Sequence, residues 1–299
     1  MLYKYRNIDA RTFEILKTQK IWLATASTLN DPLECRPPVF SNHEIYNHLS
    51  KTWGYQLMGF LHQIMHCKET GEDFFGIYGR DLDKLARKIK KKDDIQKKIK
   101  VANNFMLSVG AQGFSDPSFK INSLQKHLKN TGVFSLSEDP LNTLLWSHYS
   151  GEHTGVALGF ETTSESKLSN QKFCSKVEYV KTLPKYSLDD FSRMQLTIFA
   201  GNRRPEHKIL FDDPFIRRIL TTKTTEWSYE KEWRYFEKES GSHEFPGKLS
   251  EIIFGVNTPE ENIKEMIRVC KDHIPNNVSF KRCFYGQNSS VLQMKKIKG

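Results

Sequence analysis

The sequence predicts an α+β fold with a helical insertion: one domain over residues 1–299, with the insertion at about 42–130. Three observations carry this. Strand-like stretches cluster towards both ends of the chain, whereas residues 42 to about 112 read mainly as helix. No internal repeat and no low-complexity linker breaks the chain into arrays. Hydrophobic residues at 38% and aromatics at 12% supply enough apolar surface for a sizeable core in 299 residues.

Each element follows from local chemistry. Residues 2–6 read as a first strand, with Leu2, Lys4 and Arg6 on one face and Tyr3 and Tyr5 on the other. Asp9 can cap a helix over 10–17, where Phe13 and Leu16 lie three apart. Residues 21–24 are a short apolar strand. Asn30-Asp31-Pro32 is turn chemistry, because proline drives Asp31 out of the helical region and both Asx side chains can bond nearby backbone. Glu34 follows, where a carboxylate can stand at the lip of a pocket. Residues 45–67 read as helix, and 110–130, polar and turn-rich, close the insertion. Residues 133–137 alternate as a strand, and Asp139 with Pro140 can open a short helix. Residues 155–160 form a buried strand and 176–180 another. Helices are expected at 188–199 and 215–223, a strand at 226–236, and a loop at 239–246. Strand 249–256, helix 259–271 and strands 278–285 and 291–297 close the chain.

Composition narrows the class. No apolar run is long enough to cross a bilayer, so no membrane partner is expected, and the N-terminal stretch has no apolar segment behind it. The five cysteines (35, 67, 174, 270 and 283) are scattered, with no C-x-x-C pair, which points to a reducing cytoplasm and to neither zinc nor a disulfide framework. His62 and His66 are four apart on a helix, but no H-E-x-x-H pattern surrounds them, and no metal is predicted. The net charge of +10 is partly local, in lysines at 84–100 around Leu82, Leu85, Ile89, Ile95 and Ile99. That pattern is an amphipathic helical region with a basic outer face. The face is either simply solvated or docks a polyanion such as nucleic acid. It carries no interleaved aromatics for base stacking.

The candidate chemistry lies in three places. In the stretch 226–236, strand alternation puts Ser228, Glu230, Glu232, Arg234 and Phe236 on one face. Two neighbouring carboxylates disfavour joint ionisation, so Glu230 and Glu232 are either an acid pair aimed at a substrate or an edge-strand ion pair with Arg234. Strand 133–137 places Ser135 and Ser137 on one face. Trp146, His148, Tyr149 and His153 crowd together before the 155–160 strand. In a core, Trp, His and Tyr would each need a polar partner, so this cluster is either a pocket wall or plain packing.

Taken in order, Arg6, then Phe134-Ser135-Leu136-Ser137, then Glu230-Lys231-Glu232, resemble the arginine–serine–glutamate class of ADP-ribosyltransferases. Leu136 departs from the usual Ser-Thr-Ser. Over most of its length the chain more closely resembles the bacterial family catalogued as domain of unknown function 2971. The resemblance is carried by residues 2–6, 29–34, 134–137, 145–149, 153–156 and the run from Lys223 through 227–234.

The transferase resemblance implies an ADP-ribosyltransferase-like mixed β-sheet core and NAD as the substrate cofactor. Glu232 would bond the nicotinamide ribose, and Glu230 would orient or deprotonate the acceptor. Arg6 would hold the pyrophosphate. Ser135 would support Glu232 or the ribose, with Ser137 beside it, Tyr149 or Trp146 would stack on nicotinamide, and His148 and His153 would bond phosphate or fix the pocket. The family resemblance implies a place in bacterial or phage conflict, as a toxin or in phage defence, with a nucleic acid or protein as acceptor. Two other classes stay open: a nucleic-acid-directed hydrolase using His148, His153, Glu230 and Glu232, and a non-catalytic nucleic-acid-binding or effector module.

Overall fold

The computed structural model describes residues 1–298 other than 32, 37, 112–116, 189–193, 198–205, 210–212 and 276. It is a mixed α and β protein organised around a large mixed sheet. The chain divides into two units, the first made of 1–36, 128–184 and 217–299, the second of 37–127 and 185–216.

The first unit opens with β1 (Leu2–Arg6), α1 (Ala10–Thr18) and β2 (Lys20–Thr25). Asp9 caps α1, accepting the Thr12 N–H at 2.8 Å. The second unit is built on α2 (Asn42–Thr70), α3 (Arg80–Lys90) and α4 (Ile95–Ser108). A capping box of Ser41 and Glu44 starts α2, and Gly71, at φ 75°, stops it. Leu57, Phe60 and Ile64 of α2 pack with Leu82 and Ile89 of α3 and with Ile99 and Met106 of α4, giving this unit a core of its own. Residues 117–130 correct the sequence expectation. They form α5 (Pro117–Asn130), because proline at the first position presets a helical turn and Leu124 and Leu128, four apart, are buried.

Next come β3 (Gly132–Ser137), α6 (Thr143–Tyr149) and β4 (Val156–Phe160). Asn142, not Asp139, caps α6: its side-chain oxygen accepts the Leu144 and Leu145 N–H groups, while Asp139 closes a turn on Leu141. The expected strand at 176–180 is two short ones, β5 (Cys174–Lys176) and β6 (Glu178–Val180). Of the helix expected at 188–199, residues 189–193 and 198–199 lie outside the described residues. Its centre is a strand, β7 (Met194–Thr197), paired with β8 (Glu206–Ile209). The chain continues through α7 (Pro214–Thr221), β9 (Thr222–Thr224), β10 (Glu232–Glu237), β11 (Gly241–Glu244), β12 (Leu249–Phe254), α8 (Glu260–His273), β13 (Ser279–Tyr285) and β14 (Leu292–Lys296). The loop expected at 239–246 thus contains β11, whose backbone pairs with β2.

The main sheet runs β11-β2-β3-β1-β4-β12-β13-β14, with β10 also on β3 and β5 on β10. Its pairings are antiparallel except β12 with β13. Ile15 and Leu16 of α1 and Ile263, Met266 and Val269 of α8 pack with Phe134, Leu136 and Tyr235 in one cluster. Tyr3, Tyr5 and Ile253 pack with Leu145 and Trp146 of α6 in another. Strand alternation assigns these clusters to opposite faces of the sheet.

One irregularity in this sheet positions the site. β3 pairs with β10 over its whole length, Gly132 with Glu237 through Ser137 with Glu232. Its other edge is shared: β2 pairs at Gly132 and Val133, β1 only at Ser137. Between them the ladder is open at 134–136. A free carbonyl there needs a donor, and the Lys4 ammonium supplies it, donating to the Ser135 carbonyl at 2.9 Å.

Candidate functional site

A cavity of ≈ 280 Å³ lies at this fork, entirely within the first unit. β1 and β3 contribute Lys4, Ser135 and Ser137 to its lining, the segment after β2 contributes Asn30 and Glu34, and α6 contributes Tyr149. Lys223, Glu230 and Glu232 complete its charged wall.

The local fold brings the two acids together in a way that strand alternation does not describe. Residues Thr225–Glu230 form a 3-10 turn, and Lys231 then adopts the left-handed region at φ 45°. β10 begins only at Glu232. The expected strand over 226–236 is therefore half turn and half strand. Alternation favours a strand here, and the turn forms against that local pattern. Glu230 ends the turn, Glu232 opens the strand, and their carboxylates meet on one ammonium. Lys223 Nζ, on β9, lies 2.7 Å from Glu230 and 3.5 Å from Glu232, with Glu34 at 3.9 Å. The same ammonium stands 4.4 Å from the centre of the Trp227 ring.

Arg234 closes the cluster from behind and is fully buried. Its five N–H donors all find acceptors: Glu232 through Nε and Nη2 at 2.8 and 3.0 Å, Glu34 through Nη2, and the Leu220 carbonyl (2.7 Å) and Cys35 Sγ (3.1 Å) through Nη1. An Asx turn at Asp31, bonding the Leu33 N–H at 2.8 Å, sets the chain that delivers Glu34. The Glu232 N–H donates to the Tyr179 hydroxyl oxygen at 2.8 Å. The Tyr149 hydroxyl donates to Glu230 at 2.7 Å and accepts from Asn30 at 3.3 Å.

The electrostatics follow from these contacts. Burial opposes charge on Glu232, but Arg234, Lys223 and the Ser135 hydroxyl outweigh it and hold the carboxyl down at about 2. Burial also works against Lys223, yet Glu232, Glu34 and Glu230 together raise its pKa above the ordinary lysine value. Burial and the adjacent Glu230 push the Tyr149 hydroxyl up, so it remains a donor. Burial, with Arg6 nearby, lowers Lys4 to about 8. Glu34, Glu230 and Glu232 face Lys223 and Arg234, and Lys4 lines the same cavity, so three formal negative charges meet three positive ones.

The predicted site residues separate into three groups. Glu230, Glu232, Ser135, Ser137 and Tyr149 all line the cavity. Ser137 is a brace: its hydroxyl donates to the Glu230 carbonyl at 2.7 Å. Trp146, His148 and His153 stand apart from it. Trp146 is fully buried in the α6 core, edge-on to Tyr5, with its indole N–H on the Pro140 carbonyl at 2.9 Å, so its ring meets protein and not the cavity. His148 is exposed, and His153 sits in a left-handed turn at φ 68°, where burial lowers its pKa. Arg6 forms the third case. It bonds Thr12 of α1 through Nε at 3.0 Å, on the α1 face of the sheet, away from Ser135 and Glu232.

Lys4, Asn30, Lys223 and Arg234 are residues whose site role sequence reasoning missed. Two carboxylates one residue apart were the available signal, since buried acids require cations. Among the described residues, no group of three or more His, Cys, Asp or Glu is arranged to hold a metal ion. No helix among them is long and apolar enough to cross a membrane. Larger hollows of ≈ 680 and ≈ 660 Å³ elsewhere in this unit carry part-exposed pairs such as Lys176–Glu138 and Arg282–Glu260.

Residues 145–235 match a family model described as "Protein of unknown function (DUF2971)". The stretch is similar to that family. It runs from α6 into β10 and so contains Tyr149, Lys223, Glu230, Glu232 and Arg234. Glu34, Ser135 and Ser137 come from outside the DUF2971 match. No curated protein and no solved structure matches the chain.

Proposed function

We propose that the cavity cleaves the N-glycosidic bond of NAD, as an ADP-ribosyltransferase, or as an NAD glycohydrolase where water is the acceptor. The observation that carries this reading is a buried carboxylate, Glu232, kept ionised on the cavity wall by Arg234 and Lys223. The pyridinium ring of NAD is positive. As its bond to ribose stretches, the electron pair leaves with nicotinamide and positive charge grows on the sugar. Fixed carboxylates in a water-poor site stabilise that charge without reorganising. Glu232, ionised through the neutral range, suits the ribose side. Glu230, bonded to Tyr149 and Lys223, suits the acceptor side, holding or taking the proton of the attacking hydroxyl.

Size refines the reading. At ≈ 280 Å³ the cavity stands at the low end of ligand sites, which run from about 300 to 1,000 Å³. It accommodates a nicotinamide and one ribose and leaves the phosphates and adenosine outside. The pyrophosphate role expected of Arg6 is accordingly not part of the proposal.

Incubation with NAD labelled in the nicotinamide, with and without nucleic acid or protein acceptors, tests it. Release of nicotinamide by the wild-type chain and its loss in Glu232→Gln supports the reading. Glu232→Gln weakens a buried ion pair, so Ser135→Ala, which leaves the ion pairs in place, accompanies it and should lower the rate with the fold retained. Wild-type protein that leaves NAD intact under all acceptors overturns the proposal.

A further inference from the structure

We infer that the joint between α3 and α4 is a docking surface for the phosphate backbone of a double-stranded nucleic acid. Residues 80–100 hold ten lysines and arginines against four aspartates, so this short stretch carries +6 of the chain's net +10. The four aspartates are all committed inside the second unit. Asp81 pairs with Lys84, Asp83 with Lys68 of α2, and Asp93 with Lys97. Asp94 caps α4, accepting the Gln96 and Lys97 N–H groups. Arg87, Lys88, Lys90, Lys91, Lys92 and Lys100 are exposed, and among the described residues none of them is in an ion pair.

Nothing in the fold of this unit asks for so much charge of one sign. Lys84 and Lys88 lie four apart on one helix face, as do Arg87 and Lys91, and like charges at that spacing repel. The dipole of α3 favours the cations of its last turn, Arg87, Lys88 and Lys90, and only those. At the start of α4 the dipole opposes them: Lys97 and Lys98 stand in its first turn, which holds no acid. A face kept only for solubility intersperses both signs. Here one sign is concentrated, which is what draws a polyanion.

The other side chains of the run decide which polyanion. Leu82, Leu85, Ile89 and Ile99 are buried in the core of this unit and only Ile95 is exposed, too little apolar surface to hold a lipid bilayer. Protein interfaces are depleted in lysine and anchored by aromatic residues, and residues 80–100 contain no aromatic. Without aromatics there is also no base stacking, the hold by which single strands are bound. Contact with phosphate alone remains. A duplex presents it most densely, at about one charge per 1.7 Å of axis. Such contacts carry no base information, so binding is independent of sequence and steeply dependent on salt.

Fluorescence anisotropy of the full chain with short labelled DNA and RNA duplexes, each in two unrelated sequences, tests this over a salt series without NAD. The logarithm of the association constant should fall against the logarithm of salt concentration with a slope of about −4 or steeper, alike for both sequences. Binding of either duplex in this way supports the inference. Lys88→Gln, Lys91→Gln and Lys92→Gln together should weaken binding at least tenfold and make the slope shallower by about three. All three residues are exposed, so circular dichroism should not change. The charge-matched variant Lys264→Gln, Lys271→Gln and Lys296→Gln, in exposed lysines of the first unit, should bind as wild type does. An equal loss in that variant would reduce the effect to net charge and overturn the inference. So would binding to phosphatidylserine vesicles or to polyglutamate with no binding to either duplex, and so would no binding at all at low salt.

Discussion

The ammonium of Lys223 lies 2.7 Å from a Glu230 oxygen, and both groups are almost wholly removed from water. In an exposed pair such an approach contributes little, because each ion is as well served by solvent. Here the alternative to pairing is an uncompensated charge in the interior. Two further carboxylates face the same ammonium, so one residue sets the electrostatics of the entire wall.

Lys223→Met should therefore destabilise the chain by about 3–5 kcal/mol, the range for breaking a buried ion pair from one side. Lys84→Met, which removes an exposed pair with Asp81 on α3, should change stability by less than about 1 kcal/mol. Urea unfolding of both variants measures the contrast. Equal midpoints would show that the Lys223 cluster is wet and weak.

Acid should unfold the protein through Glu232. Its folded-state carboxyl is held at about 2, below the ordinary glutamate value of 4.5. A depressed carboxylate contributes stability above its unfolded pKa and loses it as pH falls through the folded one. The loss should run between about 4.5 and about 2 and amount to something on the order of 3 kcal/mol. Glu232→Gln should flatten that part of the profile. Thermal unfolding from pH 5 down to 2 reads it directly.

Why some of this was legible and some not is seen in particular residues. Tyr149 and the Glu230–Glu232 pair could be found because unusual residue types stood close together in the chain. Strands β1, β3 and β4 were readable because period-two alternation and unbroken apolar runs are local signals. The position of Arg6 depended on its bond to Thr12 of α1, a contact that no strand pattern encodes. Arg234 was visible only as a possible surface partner. Its burial depends on Glu34, 200 positions away, and on the Leu220 carbonyl. The 3-10 turn before Glu232 was missed because its decisive residue is Lys231, whose left-handed backbone gives no side-chain signature.

Lys4 makes the opposite pH prediction. Burial lowers its pKa to about 8 from an ordinary 10.5, so the folded state holds the proton less tightly than the unfolded chain. The cost of the buried charge is present below about 8 and is relieved as pH rises towards 10.5. Wild-type stability should rise relative to Lys4→Met across that interval, since methionine carries no proton there. Differential scanning calorimetry at pH 7 and pH 10 gives the sign, and an unchanged difference would place the ammonium in water.

Tyr149→Phe separates the chemistry of the cavity from its architecture. The phenol is only part-buried and its ring packs at the edge of the α6 cluster, so removing one oxygen leaves the packing as it was. Lost are the donor to Glu230 at 2.7 Å and the acceptor for Asn30. A hydrogen bond to a charged group is worth about 1.5–3 kcal/mol, so a group aligned for reaction by this bond should slow by about 10- to 150-fold. With Glu230 still held by Lys223, the melting temperature should fall by only a few degrees. Nicotinamide release at saturating NAD should drop while the half-saturating concentration stays close to wild type, because the bond orients the acceptor side and not the bound dinucleotide. An unchanged rate with a lowered melting temperature would reduce the Tyr149–Glu230 contact to a structural brace.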